Sequence, residues 1–192
     1  MIKVILCDDH ALIRRGIRDG VIARGQFFSE TTIAEKLGVS RTPVREALLD
    51  LFRDGIVEIV PKRGFRLAEL DDKAIAEIRL LRIALERVVI GRLCATATPD
   101  DIRVLRDIVS DKGRKRRDVF SIDEEFHARL AELAGLQQTK RMLLSVRGKM
   151  YLMASGVQVA ELRTGKVARE HTAIIDALAK RDCAKATAVM TE

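Results

Sequence analysis

Much that would point elsewhere is missing from this chain. No apolar run approaches the roughly 18 to 20 residues that a helix needs to cross a bilayer, so no membrane partner is expected. Met1–Leu6 is apolar but short, and Asp8 and Asp9 follow at once, which does not read as a signal peptide. There are only three cysteines, Cys7, Cys94 and Cys183. They are odd in number, far apart and without a CxxC, so they frame neither a disulfide scaffold nor a zinc site. Their plain reading is buried reduced thiols in a cytoplasmic protein. No internal repeat, low-complexity segment or phosphate loop is present.

The chain has 192 residues, of which 47% are apolar. That length suits one or two domains with a real core, and that composition excludes disorder. The net charge is +7 and the isoelectric point near 9.6. A basic balance favours a polyanion partner, but it is barely segregated: residues 1–68 hold 12 Lys and Arg against 9 Asp and Glu. Nucleic-acid binding therefore has to be argued from a motif.

Met1–Cys7 reads as a short strand, and Asp8–Arg24 as a helix with Leu12, Ile13, Ile17 and Val21 on one stripe. Ser29 is a good N-cap for a second helix, which carries Ile33, Ala34 and Leu37 and meets Gly38 at its end. Ser40 is placed to cap a third helix, with Pro43 in the first turn, a buried stripe of Val44, Ala47, Leu48 and Leu51, and Gly55 at its end. Ile56–Val60 and Phe65–Ala68 are short β-prone runs flanking the turn Pro61-Lys62-Arg63-Gly64, so a hairpin is predicted.

From Asp71 onward the pattern is helical. Ala74–Ala95 is predicted as one long helix with Ile75, Ile78, Leu81, Leu85, Val88 and Val89 inward. Thr98-Pro99-Asp100-Asp101 starts another, and Ser121 with Glu124 has the spacing of a capping box for a helix through Ala134. Further helices are predicted at Gln138–Ala154, Lys166–Lys180 and Asp182–Thr191. The expected fold is mainly α: residues 1–70 a winged helix-turn-helix and residues 71–192 an all-helical bundle.

The order helix, helix, tight turn, helix, basic hairpin is what a winged helix-turn-helix requires. Its third helix offers its N-terminus to the DNA major groove. Ser40, Arg41, Thr42 and Arg45 lie at that end, with Arg41 and Arg45 one turn apart on one side. One such arginine can pair with a guanine edge and another with phosphate. Lys62 and Arg63 at the hairpin tip suit the adjacent minor groove or backbone, and Gly64 permits close approach. The plain alternative is a helical hairpin with solvated arginines.

A second constellation lies in the helical part. Asp123 and His127 are four residues apart on one predicted helix and so share a face. His171 lies on a later helix with Val167, Ile174 and Leu178, so it is expected to point inward. An acid and two histidines converging inside a bundle could hold a divalent cation; a hydrogen bond on the helix surface would equally explain the Asp–His spacing. Arg82 could be an anion partner or pair with Glu86 on its own helix.

SETTIAEKLGVSRTPVREALLDLFRDGIVEIVPKRGF resembles the winged helix-turn-helix of the GntR regulators, above all in GVSRTPVREAL, DGIVE and PxRGF. The remainder of the chain resembles the FadR-type ligand domain known as FCD, through RIALE, ATPDDIRVLR, DEEFHARLAELAG and EHTAIIDALAKRD in the expected order. The resemblance covers roughly residues 18–192. It implies a ligand-responsive DNA-binding regulator, a homodimer on a palindromic double-stranded operator, with DNA contacts at Ser40, Arg41, Thr42, Arg45 and Gly64. Many relatives have arginine where Thr31 stands here, which implies that one DNA contact is absent or replaced. The family's DxxxH and EHxAI patterns imply metal ligands at Asp123, His127 and His171 for zinc, nickel or manganese. The effector implied is a small organic acid whose carboxylate meets the metal, with Arg82 a candidate anion partner. The family usually adds a histidine about one position beyond Glu192, so three protein ligands rather than four are expected.

Several connections are shorter than in that family: the approach to Ser29, Asp111–Asp118 and the region around Ala154–Lys166. Five of the six residues Lys112–Arg117 are basic, which reads as a solvated loop or a second polyanion contact. Residues 1–18 resemble the opening strand and helix of a response-regulator receiver, with Asp8 and Asp9 as its acidic pair, yet no room remains for a phosphoacceptor strand. Two other functions therefore stand beside the regulator. One is a metal-dependent hydrolase using the Asp/His cluster, the other a phosphorelay response regulator.

Overall fold

The computed structural model describes Ile13, Gly16, Ile17 and residues 20–110, 119–153 and 157–191; the side chains at 119 and 151–164 are not among those described. The predicted strand Met1–Cys7, the receiver-like acids and the basic run Lys112–Arg117 lie outside the described residues. Two compact units are present, one formed by Met1–Ile75 with Gly148–Val159, the other by Ala76–Arg147 with Ala160–Glu192. Among the described residues the architecture is mainly α, with eight helices and one two-stranded sheet.

In the first unit, helix α1 (Glu30–Leu37) begins at Ser29, whose hydroxyl accepts the Thr32 N–H at 3.1 Å. It ends at Gly38, a left-handed residue at φ 67°, and the Val39 N–H returns to Ala34 O. That closing pattern satisfies carbonyls the helix would otherwise leave open. Helix α2 (Arg41–Arg53) starts after Ser40, which stands at the N-cap but makes no capping hydrogen bond through its side chain. Its stripe Val44, Ala47, Leu48 and Leu51 is fully buried.

Strands β1 (Val57–Val60) and β2 (Gly64–Leu67) pair antiparallel, Val57 opposite Leu67 and Val60 opposite Gly64. The hairpin tip is thus Pro61-Lys62-Arg63, one residue shorter than the sequence suggests. Phe28 adds an isolated bridge to Phe65, so the hairpin is tied to the segment entering α1. Ile13, Ile17 and Ile22 complete the core; Gly20 is left-handed at φ 73° and residues 20–24 are not helical, so the helix predicted over Asp8–Arg24 does not reach Arg24.

The second unit contains most of α3 (Asp72–Thr96) together with α4 (Pro99–Ser110), α5 (Val119–Leu133), most of α6 (Gln137–Met153) and of α7 (Val157–Ala179), and α8 (Cys183–Thr191). Its core gathers Val89, Ile90, Leu93, Leu105, Phe126, Leu130, Ile174 and Leu178. Asp101 accepts from the Thr98 N–H at 2.8 Å while Thr98 Oγ1 accepts from the Asp101 N–H, a reciprocal cap that starts α4 where the sequence placed it. Ser121 does not start α5: the helix is already under way at Val119. In α3 the expected inward stripe is displaced. Leu81 and Val88 are exposed, and Glu86 is buried with Ile78, Val89, Ile90 and Leu93.

Arg181, itself at φ 54°, donates to Cys94 O at 2.7 Å, Ala95 O at 3.1 Å and Ala97 O at 3.3 Å, closing the C-terminal end of α3. Cys94 is buried and Cys183 exposed, both as free thiols, so only the first fits the expectation of buried cysteines. Burial and the neighbouring Cys183 thiol push Cys94 up to about 12. Among the described residues no helix is long and apolar enough to cross a membrane.

Candidate nucleic-acid interface and metal centre

The exposed end of α2 carries the residues that the sequence singled out. Ser40, Arg41, Thr42 and Arg45 are all exposed, while the opposite side of the helix is sealed into the core. Arg41 and Arg45 fall on one side as their spacing requires, and each guanidinium stands within 4 Å of one carboxylate, Glu30, at 3.8 and 3.7 Å. Both arginine side chains remain 67% exposed, so these are loose surface pairs that a phosphate can outcompete. Thr31, on the same helix start as Glu30, is exposed as well.

At the hairpin tip Lys62 takes a left-handed conformation, φ 64°, and Arg63 lies over the Phe27 ring with its guanidinium carbon 3.7 Å from the centroid. That stacking orients one basic side chain of the wing. Gly64 serves the fold first. At φ 97°, a Cβ there would stand 2.5 Å from Phe28 O, inside the bridge that ties the wing to α1.

In the second unit, α5 and α7 bring Asp123, His127 and His171 together. One donor atom from each lies within 4.8 Å of the others. His171 Nε2 is 3.1 Å from Asp123 Oδ1, and His127 Nε2 is 3.5 Å from the same oxygen. Both imidazoles are buried, and Phe126 stacks on the His171 ring. His171 points inward, as its place beside Ile174 and Leu178 suggested.

Two charged side chains surround this cluster. Arg147, from α6, donates to Glu86 Oε1 at 2.8 Å and to Asp123 Oδ2. Glu86 Oε1 also stands 3.1 Å from His127 Nδ1, without the alignment of a full hydrogen bond. Arg82 approaches Glu86 Oε2 at 3.5 Å, the intrahelical pair weighed for it from sequence. Burial pushes the Glu86 carboxyl up, but His127, Arg147 and Arg82 outweigh it and hold it below the ordinary range. Asp123 is held well below its usual value in the same way, against burial, by Arg147 and the two histidines. Burial lowers His171, which keeps its imidazole neutral near pH 7 despite Asp123.

One ionised carboxylate and two inward imidazoles make a donor set that fits a divalent transition metal, which requires unprotonated nitrogen ligands. A buried His171 Nδ1 has no hydrogen-bond partner among the described residues, and the ring's polar contact with Asp123 is through the nitrogen that faces the cluster.

Both units match known families. Residues 10–67 match the bacterial regulatory proteins of the gntR family, and residues 77–192 match the FCD domain. The chain belongs to the GntR family, in the branch with an FCD domain. It is a DNA-binding transcription regulator rather than an enzyme.

Its GntR relatives include an HTH-type transcriptional regulator in an unstable DNA locus of Streptomyces ambofaciens, 36% identical over 131 residues, 67% of this chain but 56% of that protein. The HTH-type transcriptional repressor RspR of Escherichia coli (strain K12) is 27% identical over 192 residues, 95% of this chain and 82% of the repressor. Among solved structures, McbR/YncC of E. coli superposes with a TM-score of 0.75 at 21% identity, covering 98% of this chain and 92% of that one. A GntR regulator from Rhodococcus sp. RHA1 gives 0.68 at 24% identity, over 96% and 91%. These two likenesses concern the fold.

Sequence reading missed Glu30, Phe27, Glu86 and Arg147. Glu86 was legible only as the partner of Arg82. Arg147 carried no signal, since an arginine among Lys, Met and Ser on a helix reads as solvated.

Proposed function

We propose that this GntR regulator is ligand-responsive: the unit with the winged helix-turn-helix, taken as residues 1–70, holds double-stranded DNA, and the helical domain, residues 71–192, senses a small carboxylate through a metal centre. The observation that carries the sensing half is the convergence of Asp123, His127 and His171 on one buried point. Those three would hold zinc, nickel or manganese. A cation there supplies a Lewis-acid anchor for a carboxylate oxygen. The chain's own contribution is to keep the His171 imidazole unprotonated and the site apolar on the Phe126 side. Arg82, only partly buried, is the candidate second anion contact.

On the DNA side, Arg41 and Arg45 are assigned to base edges and phosphate, with Ser40 and Thr42 beside them, and Lys62, Arg63 and Gly64 to the wing contact. A homodimer on a palindromic operator is supported by an apolar stripe left on the surface of α3. Leu81 and Val88, 44% and 54% exposed, share one face with the exposed Ala84. Exposed apolar residues at helical spacing on a charged helix suit burial against a second copy. Ligand binding then acts by shifting the equilibrium between two arrangements of the dimer.

The test uses one preparation of wild type and of His171→Ala, assayed for metal content and duplex binding. About one divalent ion per wild-type chain is expected, lost in the variant, with duplex binding retained and falling steeply as salt rises. Metal-free wild type that still binds DNA removes the metal from this reading and leaves the regulator. Failure to bind any duplex at low salt removes the DNA assignment of these residues.

A further inference from the structure

Glu86 and Arg147 come from helices 61 residues apart in sequence and are both buried, at 1% and 8% exposure. A buried ion pair of this kind is a weak source of stability, because apolar residues of similar volume usually serve as well. The two ends of the pair are not spent on each other alone. Arg147 Nη2 donates to Asp123 Oδ2, the oxygen opposite the one that faces both imidazoles. Glu86 Oε1 lies against His127 Nδ1, the nitrogen opposite the one that faces Asp123.

We propose that Glu86 and Arg147 are positioning residues for the Asp123–His127–His171 centre. Arg147 pins Oδ2 of Asp123 so that Oδ1 is aimed between the two imidazoles. Glu86 selects the His127 tautomer with its proton on Nδ1, leaving the Nε2 lone pair directed at the same point. An imidazole that ligates through one nitrogen is commonly oriented by an acceptor on the other, and losing that acceptor weakens metal binding by about 10- to 100-fold. Arg147 also compensates the charge of both carboxylates, so that Glu86 remains an ionised acceptor. His171 has no such acceptor on its Nδ1 among the described residues, and its tautomer is therefore independent of Glu86. The inference rests on the metal reading above, but its first measurement needs no metal.

The experiment uses the full chain labelled with 15N-histidine. Its three histidines are resolved by long-range 1H–15N correlation, which reads which ring nitrogen carries the proton. In metal-free wild type His127 is expected as the Nδ1–H tautomer. In Glu86→Met/Arg147→Met, which replaces the pair by apolar side chains and so preserves the fold, that preference is lost while His171 is unchanged. Titration with zinc or nickel chloride is expected to show about 10- to 100-fold weaker binding in the double variant, with circular dichroism and duplex binding unchanged.

A wild-type His127 protonated on Nε2 overturns the proposal, whether or not the variant folds. So does a folded double variant with wild-type metal affinity. If wild type binds neither metal, yet Glu86 still sets the His127 tautomer, the metal reading fails and the positioning role stands.

Discussion

Phe126 lies flat against His171, the ring centroids 3.9 Å apart and the planes 20° from parallel. Phe126 is wholly buried, so it both fills the core between α5 and α7 and fixes the plane of the imidazole. Phe126→Ala is expected to cost about 3–5 kcal/mol of stability, read by urea unfolding. A loss below about 1 kcal/mol would mean the ring is not part of a packed core.

The metal-free protein should weaken as it is acidified, in two separate ranges. Burial, with His127 and Arg147, depresses His171 below 6.5, so the unfolded chain takes up a proton that the folded chain refuses. Stability rises with pH wherever the unfolded state binds more protons. It therefore falls as pH drops below about 6.5, and His171→Gln flattens that part of the profile. Asp123 and Glu86, both depressed, contribute stability that is lost only at lower pH, as each falls through its folded value. A profile flat from pH 7 to 5 in wild type would contradict the His171 assignment.

Glu30 stands within 4 Å of both Arg41 and Arg45, and would compete with DNA for them if they make the proposed contacts. Glu30→Gln should tighten binding to any duplex, and most at low salt, because no carboxylate then has to be displaced. Arg45→Ala should act in the opposite sense, lowering the slope of log affinity against log salt by about 1 if that guanidinium neutralises one phosphate. An unchanged slope with relaxed sequence preference would place Arg45 on a base edge instead.

Gly64→Ala drives a Cβ into Phe28 O at a φ that side chains disfavour. A destabilisation of about 1–3 kcal/mol is expected from the strain alone, with weaker duplex binding as the wing detaches from Phe28. Wild-type stability in this variant would mean that the wing is free to shift.

The two helices and hairpin of the winged helix-turn-helix were legible because their punctuation is local. Ser29, Gly38 and Thr98 with Asp101 act within four residues of themselves, and all do in the structure what the sequence suggested. The inward direction of His171 was legible for the same reason, from Ile174 and Leu178 one helical turn and two turns away. What could not be read depends on distant neighbours. In α3 apolar residues lie on more than one side, so periodicity offers Leu81 and Val88 as readily as Val89 and Ile90. The buried side is the one whose Val89, Ile90 and Leu93 pack into the core of the second unit, and it takes Glu86 in with them. Ser121 and Glu124 have the spacing of a cap, but spacing alone does not show whether the helix has already begun. The Asp123–His127–His171 cluster was found through three residues with chemistry of their own, whereas the pair that surrounds it consists of charges that sequence alone assigns to solvent.

Arg181 reaches back 87 residues to Cys94 O and 84 to Ala97 O. While the chain is being synthesised, the last carbonyls of α3 therefore wait for a partner that the ribosome has yet to make. At ordinary elongation rates that interval is roughly 5–15 s, long compared with the closing of a helix or a hairpin. The β1–β2 hairpin and its bridge to Phe28 lie within residues 28–67 and need no such wait. During that interval the hairpin and the two helices before it can already be in place while the end of α3 is still open, so the parts of this chain need not reach their native state together.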